Sequence, residues 1–236
     1  MIDFKKMTKS TVYRFYSMLV TMTVSFITTG NWVLAATLGF ADSSVKIITY
    51  YGFEALWERF FSKKMKPGVI FFTGLSGAGK TTIGKNLQER LTKSGQKVII
   101  LDGDEIRKFF PNAGFDEESR KRHNMNVGYM ASFFEKQGMI CIVTLIAPYA
   151  DVRNEIRKSC SRFFEVYINT PIEECEKRDP KGLYKKVRNG EIKDFTGIHS
   201  TAPYEPPKNP EITIDTKINS VDECVKQITD FLWRKN

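Results

Sequence analysis

This chain predicts an α/β architecture, a parallel sheet with flanking helices, preceded by an all-α two-helix hairpin. Three observations carry that expectation. Beyond residue 66, short apolar runs alternate with amphipathic stretches, the pattern of strands covered by helices on both faces. A glycine-rich segment follows the first of those runs and opens the first amphipathic stretch. The first sixty-odd residues are different in kind, with two long and nearly uncharged halves separated by a turn. The hydrophobic content of 42%, with 13% aromatics, in 236 residues supplies ample material for a core.

In chain order, the first element is the hairpin, assigned to residues 1–65. Thr11 to Thr29 is almost free of charge after Arg14, Thr29-Gly30-Asn31 reads as a turn, and a second apolar run extends from Trp32 to Trp57. Each half is long enough for a helical crossing of a bilayer, which takes about 20 residues. Lys5, Lys6 and Lys9 flank one end and Lys63, Lys64 and Lys66 the other, so both termini are expected in the cytoplasm. Tyr13, Tyr16, Tyr50, Tyr51 and Trp57 are candidates for the interfacial belt. The expectation is thus a transmembrane hairpin, touching the membrane through residues 10–57 and holding the second region at the cytoplasmic face. Asp42 and Lys46 stand against it, although their i,i+4 spacing lets them pair on one helix face. The alternative is a hairpin that buries its apolar faces by oligomerising, for example as a homodimer.

Charge supports a membrane-side reading. Residues 1–66 carry nine Lys/Arg against four Asp/Glu, whereas the rest of the chain holds 27 against 23. The basic excess therefore sits near the N-terminus and suits an acidic lipid surface. No basic stripe with interleaved aromatics accompanies it, which argues against nucleic acid as a partner. A doubled apolar stretch without a small-residue cleavage pattern argues against a signal peptide. Residues 8–61 also resemble an uncharacterised family of short, two-helix predicted membrane domains. The resemblance rests on Tyr13-Arg14, Thr28-Thr29-Gly30, Lys46 to Tyr51 and Glu54 to Arg59. It implies no biochemical activity.

The second region, residues 66–236, opens with a strand at 69–73. Gly74-Leu75-Ser76-Gly77-Ala78-Gly79-Lys80-Thr81 comes next, with Thr82 after it, and fits G-x-x-x-x-G-K-[ST] between strand and helix. Glycines there let backbone N–H groups converge on a polyphosphate, and the helix N-terminus adds its positive dipole end. Lys80 is placed to reach the β- and γ-phosphates of ATP, and the Thr81 hydroxyl to ligate Mg²⁺. The predicted sheet is thus of the P-loop NTPase type. Further strands are expected at 98–101, 140–145, 163–168 and 212–214, with ligands at their carboxyl ends. Ser220 to Leu232 has the cap and spacing of a closing helix.

The four cysteines (Cys141, Cys160, Cys175, Cys224) show no C-x-x-C, and the only histidines are His123 and His199, so a Cys/His zinc site is disfavoured. Two segments remain. Leu101-Asp102-Gly103-Asp104 puts two carboxylates at a strand's carboxyl end, across from the glycine loop, where they suit Mg²⁺ handling and proton abstraction. Asp179 to Pro210 is too long and polar for a tight connection. Its lysines suggest a lid over charged substrates.

Residues 67–234 resemble adenylylsulfate kinases (APS kinases), which use ATP to phosphorylate the 3′-hydroxyl of adenosine 5′-phosphosulfate. The resemblance rests on the glycine loop, on Asp102-Gly103-Asp104, and on Gly114-Phe115 with Arg120. Most restrictive is Arg178-Asp179-Pro180-Lys181-Gly182-Leu183-Tyr184-Lys185-Lys186, followed by Phe195-Thr196-Gly197-Ile198 and Pro203-Tyr204-Glu205. It implies that Asp104 takes the proton from the 3′-hydroxyl, with Lys80 as its catalytic counterpart, and that Asp102 helps hold Mg²⁺ through water. It further implies that Arg107, Arg120, His123 and Ile146 line the substrate, Phe115 and Phe195 sandwich its adenine, Lys181 reaches phosphate and Arg178 lies near the ATP base.

Three departures qualify it. His123-Asn124-Met125-Asn126 stands where relatives have Asn-x-Arg-Arg, which removes positive charge. Ile146-Ala147-Pro148 replaces Ile-Ser-Pro, so no phosphoserine forms there and direct in-line transfer remains. His199-Ser200-Thr201-Ala202 replaces a shorter acidic link. Two other functions stay open: 3′-phosphorylation of another activated nucleotide, such as a cytidine diphosphoramidate, and a non-catalytic nucleotide-binding scaffold at the membrane.

Overall fold

The computed structural model describes residues 4–61, 64–110 and 114–236, without the side chains of residues 4–15, 47, 48 and 50–61. It divides into two compact units, Met1–Lys63 and Lys64–Asn236.

In the first unit, α1 (Phe4–Thr29) and α2 (Trp32–Phe61) form the expected hairpin. Gly30 turns the chain at φ +64°, and the Asn31 side chain caps α2 by accepting from the N–H groups of Val33 and Leu34 at 2.9 and 3.2 Å. Phe26 stacks on Trp32 across the turn, 3.9 Å between ring centroids. At Gly39 the helices approach so closely that a Cβ would lie 2.3 Å from Met22. Asp42 accepts from Lys46 at 2.6 Å and from Thr21 of the other helix at 3.0 Å, while Lys46 also reaches Ser17 at 3.0 Å.

Among the described residues no helix is long and apolar enough to cross a membrane. Hydroxyl residues and the Asp42–Lys46 pair dilute both apolar runs and lower their hydropathy. Many of those hydroxyls are turned inward on their own helix. Thr23, Thr28, Thr37 and Thr49 each donate to the carbonyl four residues back. Of the expected aromatic belt Tyr16 is exposed. Tyr13, Tyr50, Tyr51 and Trp57 lie outside the described side chains, as do Lys5, Lys6 and Lys9, and Lys63 lies outside the described residues.

The second unit is a five-stranded, all-parallel sheet ordered β2-β3-β1-β4-β5. Its strands are β1 (Gly68–Thr73), β2 (Val98–Asp102), β3 (Ile140–Thr144), β4 (Phe163–Ile168) and β5 (Ile212–Ile214). Strand side chains alternate between two cores. Ile70 and Phe72 join α3 (Lys80–Lys93) and α9 (Val221–Arg234) on one face. Val69 and Phe71 join α5 (Glu117–Lys136) and α6 (Ala150–Ser159) on the other. Ser220 and Glu223 form a capping box at the start of α9. The helices that follow β1 and β3 therefore lie on opposite faces, which opens a crevice at the ends of these neighbouring strands. Register aligns those ends, because Thr144 stands opposite both Phe72 and Asp102.

One charge is buried beneath the sheet end. Glu165 on β4 meets Arg153 of α6 at 2.8 Å, and the two other arginine nitrogens donate to the carbonyls of Ala147 and Glu205. Arg153 is 3% exposed, yet its donors are occupied, which is what makes a buried guanidinium tolerable.

Candidate active site

The glycine loop leaves β1 and wraps the start of α3. At Gly74 (φ +150°) a Cβ would stand 2.6 Å from the Ile168 carbonyl, and at Gly77 (φ +76°) 2.9 Å from that of Cys175. No other residue fits either position. Gly79 caps α3 without a side chain, leaving the first-turn N–H groups available to an anion. Lys80 begins the helix. Its Nζ is buried and donates to the carbonyls of Gly74 and Leu75, at 2.8 and 2.7 Å. Burial and then the nearby Lys181 charge lower its pKa to about 8. A phosphate supplying negative charge would reverse both effects.

The rest of the loop is braced from below and from the lid. The Ala78 carbonyl accepts from Thr170 and Thr216. The Ser76 carbonyl accepts from Tyr184 at 2.9 Å. Leu75 packs under Gly197, and Thr82 is exposed. Arg178, at the end of α7 (Ile172–Arg178), donates to the hydroxyl and carbonyl of Thr216 at 2.8 and 2.9 Å and is thereby joined to the loop.

Across from the loop, one Asp102 oxygen accepts from Thr81 and Thr144, both at 2.7 Å. The other accepts from the N–H groups of Asp104 and Glu105, which makes Asp102 the cap of α4 (Gly103–Arg107). Burial alone would raise the Asp102 pKa, but these hydrogen bonds outweigh it and hold the carboxyl below its ordinary value. A threonine hydroxyl touching an ionised carboxylate is a donor pair suited to Mg²⁺, which takes one or two protein oxygens and fills its shell with water and phosphate. Among the described residues no cluster of three or more His, Cys, Asp or Glu gathers.

Asp104 is exposed and ion-paired with Lys181. Lys181 comes from the lid, which is not a bare loop: it contains the short helix α8 (Leu183–Arg188). The Asp179 side chain accepts from the N–H groups of Tyr184 and Lys185 at its start. Glycine loop, carboxylate pair and lid thus meet around one space.

The residues expected on the acceptor side have varied partners within the protein. Phe115 is 67% exposed and lies against Arg107, whose guanidinium carbon is 4.7 Å from the ring centroid; Arg107 also donates to the Gly114 carbonyl at 2.9 Å. Phe195 instead packs edge-on against Tyr184, with centroids 5.0 Å apart, and its N–H donates to His199 at 2.9 Å. Each ring thus has a different protein neighbour. Arg120 donates to the Asp194 carbonyl and so reaches the lid. The Ile146 carbonyl accepts from Thr73 at 2.6 Å, next to Ala147 at φ +44°. His123 is buried and turned onto the Gly103 carbonyl at 3.2 Å.

Sequence reasoning assigned no role to Thr144, Tyr184, Thr216 or Tyr204, which bonds Thr73 at 3.0 Å. Tyr184 lies inside the lid motif itself. Thr144 could have been found only from the β2–β3 register.

With this geometry in view, the chain can be set beside known proteins. Residues 66–215 match the family described as adenylylsulphate kinase, and residues 7–58 the family described as "Predicted membrane protein (DUF2061)". The adenylyl-sulfate kinase of Clostridium kluyveri is 48% identical over 184 residues, which cover 76% of this chain and 92% of that protein. The APS kinase of Mycobacterium tuberculosis, solved in complex with AMPPNP and APS, superposes with a TM-score of 0.68 at 36% identity, covering 71% of this chain and 98% of that one. A hexameric APS kinase from Thiobacillus denitrificans gives 0.55 at 30% identity, covering 77% of this chain and 32% of the other. A P-loop facing paired carboxylates, a lysine lid closing on them and this extent of identity together make the chain a member of the adenylylsulphate kinase family.

Proposed function

We propose that the second unit transfers the γ-phosphoryl group of ATP to the 3′-hydroxyl of adenosine 5′-phosphosulfate, yielding 3′-phosphoadenosine 5′-phosphosulfate and ADP. The observation that carries this reading is the joint placement of Thr81 on Asp102 and Lys181 on Asp104 at one sheet end. Lys80 leaves the loop carbonyls and neutralises the β- and γ-phosphates. Mg²⁺ held by Thr81 and Asp102 would supply further neutralisation of the charge that develops on the phosphoryl oxygens. Asp104 accepts the 3′-hydroxyl proton as that oxygen bonds to the γ-phosphorus and the bond from phosphorus to the β–γ bridging oxygen breaks. Lys181 must release Asp104 first, and a phosphate beneath the lid is its natural new partner. Arg107, Arg120, Phe115, His123, Ile146 and Phe195 shape the acceptor side. Alanine at 147 leaves direct in-line transfer as the route.

A coupled assay with ATP and adenosine 5′-phosphosulfate tests this, and product no greater than an Asp104→Ala control refutes it. A second reading, 3′-phosphorylation of another activated nucleotide such as cytidine diphosphoramidate, is favoured by the segment at 123–126. There Met125 packs against the core, and the ring of His123 faces Gly103. Comparing kcat/KM for the two acceptors separates the readings.

The hairpin we assign to the membrane, holding the kinase unit at the cytoplasmic face through residues 10–57. The match to a predicted membrane family supports this, and so do the exposed side chains of Leu19, Val24, Ile27, Trp32, Val33 and Phe40. Flotation of the full-length protein with anionic vesicles tests it; protein left at the bottom of the gradient argues for self-association instead.

A further inference from the structure

The turn that joins the two carboxylates is gripped at both ends. On one side the Asp102 side chain binds the N–H groups of Asp104 and Glu105. On the other, the Gly103 carbonyl meets His123 Nε2 at 3.2 Å. Gly103 itself is closely packed, since a Cβ there would lie 2.4 Å from the Leu145 side chain. The residue that closes this grip comes from a firmly seated helix. In α5, Val127 and Ala131 are fully buried, and a Cβ on Gly128 would stand 2.5 Å from Ile156 of α6.

The chemistry of the ring is specified by its partner. A carbonyl only accepts, so Nε2 carries the proton and Nδ1 is left as a lone-pair acceptor. Nδ1 is buried and has no hydrogen-bond partner. Burial and then the charge of Arg107 push the His123 pKa down, which keeps the ring neutral. Packing alone would be served at lower cost by phenylalanine, which buries no orphaned nitrogen. The retained polar contact is the one to Gly103.

We propose that His123 is a positioning residue for Asp104: its Nε2–H fixes the Gly103 peptide and so sets the start of α4, from which the Asp104 carboxylate projects. This rests on the reading of Asp104 as the proton acceptor. It differs from the expectation that His123 touches the substrate, and the difference is measurable. A glutamine amide reaches about as far as Nε2, whereas an asparagine amide reaches only as far as Nδ1.

The test compares wild type with His123→Phe, His123→Gln and His123→Asn in the full chain, using ATP and adenosine 5′-phosphosulfate. His123→Phe should lower kcat by roughly ten- to a hundredfold, the scale of a misplaced catalytic group, with KM for ATP within about twofold. His123→Gln should recover most of that loss and His123→Asn should not. A wild-type kcat in His123→Phe overturns the proposal. So does recovery by Asn but not Gln, or a rise in acceptor KM at unchanged kcat. If His123→Phe does not fold, the Gln and Asn pair still decides. Amide exchange in the nucleotide-free protein provides a readout independent of the acceptor. His123→Phe should speed exchange in residues 103–107 and leave 77–82 unchanged; equal exchange in both proteins overturns the proposal. A wild type inactive on this acceptor would refute the proposed reaction while leaving the exchange result to stand on its own.

Discussion

The two units of this chain handle polar groups in opposite ways. The kinase unit takes charge into its interior and surrounds it: Arg153 and Glu165 sit beneath the sheet with their hydrogen bonds occupied. The hairpin does the reverse. It leaves large apolar side chains exposed and hides hydroxyls against its own backbone, and its Asp42–Lys46 pair stays partly open. A unit built in the first way satisfies its buried charges by its own hydrogen bonds. One built in the second way offers apolar surface that another apolar phase can cover.

Substitutions can break that contrast, beginning with the one of largest effect. Asp104→Asn should lower kcat by about 10² to 10⁴, the range for removing a general base, while vesicle flotation stays unchanged. Loss of flotation in that variant would mean that the units are not functionally separable. Next, Arg153→Met removes the nearer of the two guanidiniums on buried Glu165, leaving it only the longer contact with Arg157 at 3.3 Å, at a cost of up to about 3–5 kcal/mol. Thermal denaturation should register this as a fall in Tm on the order of 10 °C. Lys46→Met removes the equivalent partner in the hairpin, where exposure to solvent keeps the cost in water small. In lipid the same change should cost more, since Asp42 would face a medium that does not solvate it. Equal costs in water and in vesicles would count against lipid contact.

How much was legible in the sequence depends on the range of the forces involved. The glycine loop, the strand positions and the Ser220 cap are local, and they appear where apolar runs and turn residues placed them. The lid was recognisable by its lysines, but α8 inside it was not, since its start depends on Asp179 turning back onto Tyr184 and Lys185. Strand order and register are set by pairing across the chain, so Thr144 on Asp102 could not be read beforehand. For the same reason the bond from His123 to Gly103 could not be read beforehand: it exists only once α5 has docked. The bilayer crossing was inferred from length and the scarcity of charge. Hydroxyl content lowers the hydropathy of both helices, and among the described residues none is long and apolar enough to cross a membrane.

The seat of Lys80 has a consequence for how nucleotide binding is coupled to acidity. With its pKa brought to about 8, the free protein near that pH holds this proton on only about half of its molecules. A triphosphate favours the charged form, so binding there must draw a proton from solution, whereas near pH 6.5 the lysine is already charged and draws almost none. Calorimetric heats of ATP binding should therefore report proton uptake, through the buffer's ionisation enthalpy, near pH 8; in mild acid the lysine contributes none and only the triphosphate's own proton loss remains. Affinity should decline as the pH rises past 8. Heats that are buffer-independent near pH 8 would mean that Lys80 keeps its proton throughout.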